Sequence, residues 1–168
     1  MTSWLVTTSR SLLLVDGGSG EARVLHEGAG LYFGLSFDER GGFPLRVAAR
    51  GRMVSSPDPA EEERGRILLF DEGLRPCGEL RAPFPMRDLH QVLVRDGTLW
   101  ATCSFDNMVA VLRDGAWDAW YPLGEPEGEP RDLNHFNTLA WIDGRLAIVA
   151  HNRHLPPSEI LLFDWPSR

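Results

Sequence analysis

Residues Phe136–Ala150 read FNTLAWIDGRLAIVA, which is an apolar strand, a turn built on Gly (here Asp143-Gly144) and a second apolar strand. The same pattern occurs twice earlier, in Leu89–Cys103 (LHQVLVRDGTLWATC) and in Leu31–Ala49 (LYFGLSFDERGGFPLRVAA). When the turns are aligned, Asn137 falls in register with His90, 47 residues earlier. Asp-Gly suits a two-residue hairpin because both central positions can need a positive φ, which Gly adopts freely and Asp tolerates. The three copies therefore predict three hairpins of one repeating unit.

A repeat of this length made of short strands is typical of the blades of a β-propeller. Strand patterns run through the chain almost without a break, and no segment shows sustained helical periodicity. The third strands of the blades also resemble one another, since they read SLLLVD, RILLFD, MVAVLRD and EILLFD. We therefore predict an all-β fold, a partial β-propeller of about four blades with antiparallel up-and-down strands.

The predicted domain covers residues 1–168, with approximate blades at 4–28, 29–86, 87–130 and 131–168. Fourteen strands are predicted: Trp4–Thr8, Ser11–Val15, Glu21–His26, Leu31–Phe37, Leu45–Ala49, Arg66–Phe70, Cys77–Arg81, Leu89–Val94, Thr98–Ser104, Met108–Leu112, Ala116–Tyr121, Asn137–Ile142, Arg145–Ala150 and Glu159–Phe163. The first blade then lacks its innermost strand and the last blade its outermost, which leaves edges that invite pairing with another chain. The chain could close alone, complete a larger propeller with a second chain, or be a degenerate piece of a longer ancestor. We favour a homo-oligomer, at least a dimer.

The composition excludes several classes of protein. The chain has 43% hydrophobic and 24% charged residues, the balance of a soluble globular protein. All 17 basic residues are Arg, which rules out a Schiff-base lysine and a phosphate-binding loop with its lysine. A net charge of −7 without a basic stripe argues against a nucleic-acid partner. The acidic segments 58–63 and 125–129 are expected to be solvated loops.

The compartment is inferred from features that the sequence lacks. No signal peptide is expected, because the first residues have no basic stretch and their apolar run is short. No segment approaches the roughly 20 apolar residues of a bilayer span, so no membrane partner is expected. Cys77 and Cys103 lie in predicted strands without the spacing of a metal site, and buried free thiols are expected. The chain is therefore predicted to be cytoplasmic.

The up-and-down topology sorts the loops onto the two faces of the disc. The loops after the second strands share one face with the blade-to-blade connections, and we call it the connection face. The insertion 54–65 and four polar segments fall there: Arg87–His90, Asp106-Asn107, Arg131–Asn137 and His151–His154. The four Asn, the only Gln and four of the five His all lie between residues 90 and 154, on or beside this face. A polar pocket for a small-molecule ligand is predicted there.

Imidazoles and amides are the usual ligands of metals and of polar small molecules, and two chemistries fit this face. In the first, a divalent metal ion acts as a Lewis acid or activates a water. Its predicted ligands are His90, His135, His151 and His154. Asp88 or Asp132 would orient an imidazole from behind.

In the second chemistry no metal takes part. His135 or His90 acts as general acid, base or nucleophile, and Arg131 or Arg153 binds an anionic group. The motifs GxSxG, HExxH and GxGxxG are absent, so serine-nucleophile, zincin and dinucleotide mechanisms are unsupported.

Structural roles compete with these chemical ones. At the start of a strand, His90 could bond a neighbouring backbone group, and His135 with Asn137 could cap the crossover between blades. Asp106-Asn107 fits an ordinary turn. The clustering of these residues on one face nevertheless favours a functional site.

The segment Asp132–Phe163 resembles a blade of the arylsulfotransferase-type propellers, which carry an H-x-N-[ST] element followed by a strand ending in polar and basic residues. The element is HFNT here, at residues 135–138, and the later strand ends at His151-Asn152. This resemblance implies that His135 is the reactive imidazole and Asn137 its neighbour. More loosely, the chain resembles the gluconolactonase and senescence-marker propellers, which implies Asn137 and Asn107 as ligands of a divalent cation.

These patterns predict a small-molecule-binding or metal-assisted catalytic protein of hydrolase or lyase type, with a His/Asn-lined site on the connection face. The predicted catalytic residues are His135 and His90. Ligand binding is predicted for Asn137, Asn107, Arg131 and Arg153. The alternative is a non-catalytic protein-interaction module or a partial propeller completed by oligomerisation, because fold alone does not imply chemistry.

Overall fold

The computed structural model describes residues 2–38, 42–52, 59–128, 131–151 and 157–165, which form fourteen β-strands in four antiparallel sheets. We number the sheets in chain order as blades 1 to 4. Blade 1 has β1 (Ser3–Thr7), β2 (Ser11–Asp16) and β3 (Ala22–Glu27), and blade 2 has β4 (Tyr32–Ser36), β5 (Leu45–Ala49), β6 (Arg66–Phe70) and β7 (Pro76–Leu80). Blade 3 has β8 (Leu89–Arg95), β9 (Thr98–Cys103), β10 (Met108–Arg113) and β11 (Ala116–Trp120), and blade 4 has β12 (Phe136–Ile142), β13 (Arg145–Ala150) and β14 (Glu159–Phe163).

The predicted all-β partial propeller is confirmed. All fourteen predicted strands are present, and their ends agree with the predicted ends to within one residue. Consecutive strands pair in order within every blade, as the up-and-down topology requires. Contacts pass from each blade to the next, and no closure into a ring is seen among the described residues.

The core consists of three apolar layers, one between each pair of successive blades. The first layer holds Leu12, Tyr32, Leu45, Val47 and Phe70, the second Ile67, Met86, Leu89, Val92 and Cys103, and the third Trp100, Val111, Phe136, Leu146 and Ile148. Every residue of β9 is buried, because blade 3 is covered on both sides. Blades 1 and 4 are covered on one side, so burial alternates along β1 and β14.

Position within a blade also explains the two thiols. Cys103 ends the inner strand β9 and is buried, as predicted. The prediction for Cys77 is wrong: this thiol is free but exposed, because β7 is the outermost strand of blade 2.

The innermost strands of blades 2, 3 and 4 share an irregularity that the sequence analysis did not detect. In blade 3, Leu89 pairs with Cys103 and Val92 pairs with Ala101, so β8 holds one residue more than β9 over this interval. The same shift occurs in β4 between Tyr32 and Leu35, and in β12 between Phe136 and Thr138. A β-bulge bends a strand and re-aims the side chains beside it. It falls each time near the connection face.

The insertion between β5 and β6 is described from residue 59. Ala60–Glu62 form a short 3₁₀-helix after Pro59, and Glu63 follows it. The expectation of a solvated loop is wrong for Glu63, which is buried. Among the described residues, no helix is long and apolar enough to cross a bilayer. The cytoplasmic location stays a prediction.

The packing between blades predicts how two leucines differ. Leu45 is fully buried between blades 1 and 2, whereas Leu123, in the loop after β11, is 53% exposed. We expect Leu45→Ala to lower the free energy of unfolding by about 2–5 kcal/mol, because it leaves a cavity in a packed layer. The matched change Leu123→Ala should cost less than about 0.5 kcal/mol. Urea denaturation followed by tryptophan fluorescence measures both, and equal losses would contradict this assignment of the core.

Candidate functional site

The candidate site lies on the connection face, where the second strands end and the innermost strands begin. Arg50 directly follows β5, and His151 directly follows β13. Asp88 directly precedes β8, and His90 is the second residue of β8. His135 directly precedes β12. The topology thus brings residues from three blades to one edge of the innermost strands.

Two of these residues adopt a backbone conformation that few side chains accept. Asp88 has φ of 53° and His135 has φ of 45°, in the left-handed region. Asp, Asn and His are enriched there among residues other than Gly. Each turns the chain from a blade connection into an innermost strand, so the polar residue at this point is favoured by local geometry.

A charged network fixes Asp88. The guanidinium of Arg50 donates to both carboxylate oxygens of Glu63, at 3.0 Å from Nε and 2.8 Å from Nη2, and its Nη1 lies 2.6 Å from Asp88 Oδ1. Glu63 Oε1 also accepts the backbone N–H of Asp88 at 2.8 Å. The Glu63 side chain is 1% exposed, so the insertion supplies a buried anion that holds Arg50 and Asp88 together.

Aromatic and imidazole rings form a row beside this network. The His90 ring lies 4.5 Å from the Phe33 ring and 5.2 Å from the His135 ring, between centroids. The His151 ring is 5.8 Å from that of His135. His90 Nε2 lies 3.1 Å from Asp88 Oδ1, which joins the row to the charged network. The structure therefore brings together three of the four histidines predicted to line the site.

Asp132 orients His135 at two points. Its Oδ1 accepts the His135 backbone N–H at 3.0 Å, and its Oδ2 lies 2.5 Å from His135 Nδ1. Asp88, Asp132 and His135 each offer one ligand atom, and these atoms all lie within 4.8 Å of one another. Two carboxylates and one imidazole in this arrangement could hold a metal ion.

The charges around Asp88 decide its ionisation. Burial alone would raise the pKa of this carboxyl, but the neighbouring His90 imidazole and the positive charge of Arg50 outweigh that effect. The pKa of Asp88 therefore lies below its ordinary value. For Arg50, burial favours the neutral form, but the hydrogen bond to Glu63 and the charge of Asp88 raise its pKa. Both groups are charged at neutral pH.

Asn107 holds the connection that carries Asp132 and His135. Its Oδ1 accepts the backbone N–H groups of Leu133 and Asn134, each at 2.8 Å, and its Nδ2 donates to the carbonyl of Arg131 at 2.6 Å. The residue is 1% exposed. Its amide is therefore engaged within the protein, which gives Asn107 a structural role, and ligand binding by Asn107 stays a prediction.

The remaining predicted residues are less central. Asn137 lies at the bulge of β12, and its Oδ1 accepts a hydrogen bond from Thr138. Arg131 is exposed, and its backbone carbonyl accepts a hydrogen bond from Asn107. Arg153 and His154 lie outside the described residues. Ligand binding or metal ligation by these four residues stays a prediction.

The residues that the sequence analysis missed are Arg50, Glu63 and Phe33. Arg50 and Glu63 are separated by 13 residues, and only the fold joins them. One signal was available in the repeat. Tyr32 pairs with the last residue of β5, and Leu89 pairs with the last residue of β9. Phe33 and His90 each come next in the chain, so they occupy equivalent positions. Aligning the repeats on strand pairs, instead of on turns, would have placed Phe33 in the site.

A cleft reaches this cluster at Phe33 and Arg50. It has a volume of about 760 Å³, runs between β1 and β4, and is lined in part by Phe33, Arg50 and Gln91. Gly34 permits the close approach of β4 to β8, because a Cβ there would lie 2.8 Å from the Gln91 Cα. The cleft has room for a small-molecule ligand.

No family model and no curated protein matches this chain. Among solved structures, the computationally designed Ika8 protein superposes with a TM-score of 0.54 and 12% identity, over 95% of this chain and 46% of that one. The streptogramin B lyase structure superposes with a TM-score of 0.51 and 13% identity, over 97% of this chain and 54% of that one. At these identities the likeness shows the propeller-like fold alone. The chain spans about half the length of both proteins, and the arylsulfotransferase-type resemblance stays a prediction.

The role of Asn107 predicts a large stability loss on truncation. We expect Asn107→Ala to lower the free energy of unfolding by about 2–4 kcal/mol, because buried backbone groups of the connection would lose their partners. The control Asn137→Ala should cost less than about 1 kcal/mol, since within the described part of the chain its Oδ1 accepts a single bond, from its neighbour Thr138. Chemical denaturation compares the two, and a loss below that of the control would refute the structural role.

The pKa of Asp88 predicts a pH effect with a definite sign. A carboxyl with a lowered folded-state pKa stabilises the fold above its unfolded pKa, about 3.9, and this contribution fades as the pH falls through the folded pKa. The stability difference between wild type and Asp88→Asn should therefore shrink as the pH is lowered from about 6 to 3. Asn suits this site because it tolerates positive φ.

Urea unfolding at several pH values measures this difference. Asp118→Asn, at an exposed position on β11, is the control, and its difference from wild type should stay constant. A gap between wild type and Asp88→Asn that widened at low pH would show that the direction of the shift is wrong.

Proposed function

We propose that this protein binds a divalent metal ion through Asp88, Asp132 and His135, and uses it to bind or transform a small polar molecule at the connection face. The observation that carries this proposal is the approach of three potential ligand atoms to within 4.8 Å of one another. The reaction class that we propose is hydrolase or lyase.

The charge of the cluster supports a cation. Arg50 supplies one positive charge, and Glu63, Asp88 and Asp132 supply three negative charges. The carboxylates therefore outnumber the guanidinium by two in a half-buried setting. Concentrated like charge in such a setting is unfavourable unless a counter-ion or protons neutralise it. A divalent ion would balance this charge.

The ligand types indicate which ions fit. Carboxylate oxygen and imidazole nitrogen together suit Mn²⁺, Fe²⁺ and Zn²⁺, whereas a site for Ca²⁺ has oxygen ligands alone. When bound, such an ion would polarise a substrate oxygen or lower the pKa of a water. The chain's own contribution is to hold the ligands: Asp132 orients His135, and Arg50 fixes Asp88.

His90 and His151 flank the proposed ligands and suit proton transfer to or from a bound molecule. The His90 ring packs on Phe33, and its Nε2 is close to Asp88. The Asp88 carboxylate beside the imidazole holds the His90 ring in place, which suits general acid–base catalysis. The cleft of about 760 Å³ reaches Phe33 and Arg50, and it would admit the substrate.

One observation favours a second candidate, acid–base catalysis without a metal. The 2.5 Å contact between Asp132 Oδ2 and His135 Nδ1 is the geometry of a carboxylate–imidazole dyad. In that case His135 itself would exchange a proton with the substrate. The two candidates share residues and differ in whether an ion is needed.

Metal binding tests the proposal directly. Chelator-treated protein is dialysed into Mn²⁺ or Zn²⁺ and analysed by native mass spectrometry and titration calorimetry. We expect one ion per chain, bound at least tenfold more weakly in Asp132→Asn and in His135→Asn. Asn at position 135 is compatible with the positive φ there. Asp118→Asn is the control and should bind as the wild type does.

Failure to bind a stoichiometric ion, or unchanged binding in both site variants, would refute the metal site. If the metal-free protein nevertheless turned over a substrate with a pH profile that His135→Asn removed, the acid–base candidate would replace it.

A further inference from the structure

Blade 1 exposes an apolar face on its outer side. Trp4, Val6 and Val24 are 60%, 36% and 52% exposed. Val6 pairs with Leu13 and Leu13 pairs with Val24, so these side chains lie on the same side of the sheet. The opposite side, with Leu12, packs against blade 2. We call the exposed side the leading face and define it by Trp4, Val6, Leu13, Val15 and Val24.

Blade 4 exposes a second apolar face. Ile142, Ile160 and Leu162 are 41%, 64% and 42% exposed. Ile160 pairs with Val149, and alternation along β12 and β14 places Ile142 and Leu162 on the same side as this pair. The opposite side, with Phe136 and Ile148, packs against blade 3. We call the exposed side the trailing face and define it by Ile142, Val149, Ile160 and Leu162.

The internal repeat shows what covers the equivalent positions in the inner blades. In blade 3, Trp100 is the equivalent of Ala147, 47 residues later, and it is buried against blade 4. In blade 2, Leu68 and Phe70 of RILLFD are the equivalents of Leu13 and Val15 of SLLLVD, and they are buried against blade 1. Both exposed faces thus occupy positions where a neighbouring blade packs.

The two faces are complementary in their position along the repeat. In the inner blades, the side equivalent to the trailing face packs against the following blade, and the side equivalent to the leading face packs against the preceding blade. We propose that the trailing face of one copy packs against the leading face of a second copy. A two-fold axis then creates two identical junctions and closes eight sheets into one ring, which covers all four apolar faces.

The size of related folds supports a second copy as the occupant. The chain superposes on 46% of the designed Ika8 protein and on 54% of streptogramin B lyase. Two copies of this chain together therefore have about the length of one such protein. A cluster of exposed apolar side chains on a sheet face typically marks an association surface.

The candidate site gains a wall from this assembly. One copy contributes β4, β8 and β12 as innermost strands, and in a closed ring these strands would line one side of the central channel. The cleft between β1 and β4 includes Phe33, whose ring packs on that of His90. In the proposed ring, the innermost strands of the partner face His90 and His135 and enclose the ligand.

Solution mass and two substitutions test the proposal. Sedimentation velocity on the wild type between about 1 and 50 µM, a range that covers micromolar dissociation constants, should give twice the 18.8 kDa chain mass. Trp4→Glu and Ile160→Glu should each raise the dimer dissociation constant at least about a hundredfold, because symmetry places each buried charge in both junctions. Both positions are exposed in one copy, so circular dichroism should show an intact fold.

Leu123→Glu is the matched control, since Leu123 is 53% exposed and belongs to neither face. It should dimerise as the wild type does. A monomeric wild type would overturn the proposal. Open head-to-tail polymers whose mass grows with protein concentration would also overturn it. If Trp4→Glu abolished the dimer while Ile160→Glu left it intact, the leading faces would pair with each other, which contradicts the proposed junction. Metal binding is measured separately, so failure here leaves the metal proposal standing.

Discussion

The covering of apolar sheet faces is the constraint on which the rest of this structure depends. An antiparallel sheet whose two sides are both apolar must be covered on both sides to be stable in water. Blades 2 and 3 meet this condition by packing between neighbours, and their inner strands are buried on both sides. Blades 1 and 4 meet it on one side only. The same requirement therefore explains the three core layers and the two apolar faces left at the ends of the arc.

The candidate site is built from the connections that this stacking requires. Each crossover turns from an outer strand to the next innermost strand, and Asp88 and His135 make those turns with positive φ. The repeated bulge then determines the direction of the first side chains of each innermost strand. Arg50 and Glu63 form a buried ion pair, which is costly to desolvate. We attribute its presence to positioning, because Glu63 binds both the backbone of Asp88 and the guanidinium that contacts its side chain.

Polar residues on the connection face fall into two groups with different partners. Asn107 bonds mainly to backbone groups of the next connection, and Asp106 binds Arg87, so both hold the framework. His90, His135 and Asp132 bond or pack against one another where the innermost strands begin. The sequence does not distinguish a residue that holds the framework from one that belongs to the candidate site. Their hydrogen-bond partners in the structure do.

The sequence by itself determined the strands, the hairpins and the order of the blades, because these follow from apolar alternation and Asp-Gly turns within a few residues. It also indicated the face on which His90 and His135 meet, since up-and-down topology fixes which loops share a face. Tertiary structure alone decided the bulges, the burial of Glu63 and the contacts of Arg50 with Asp88. Those features join residues far apart in the chain, and their energies depend on desolvation and register between strands, which no local pattern records.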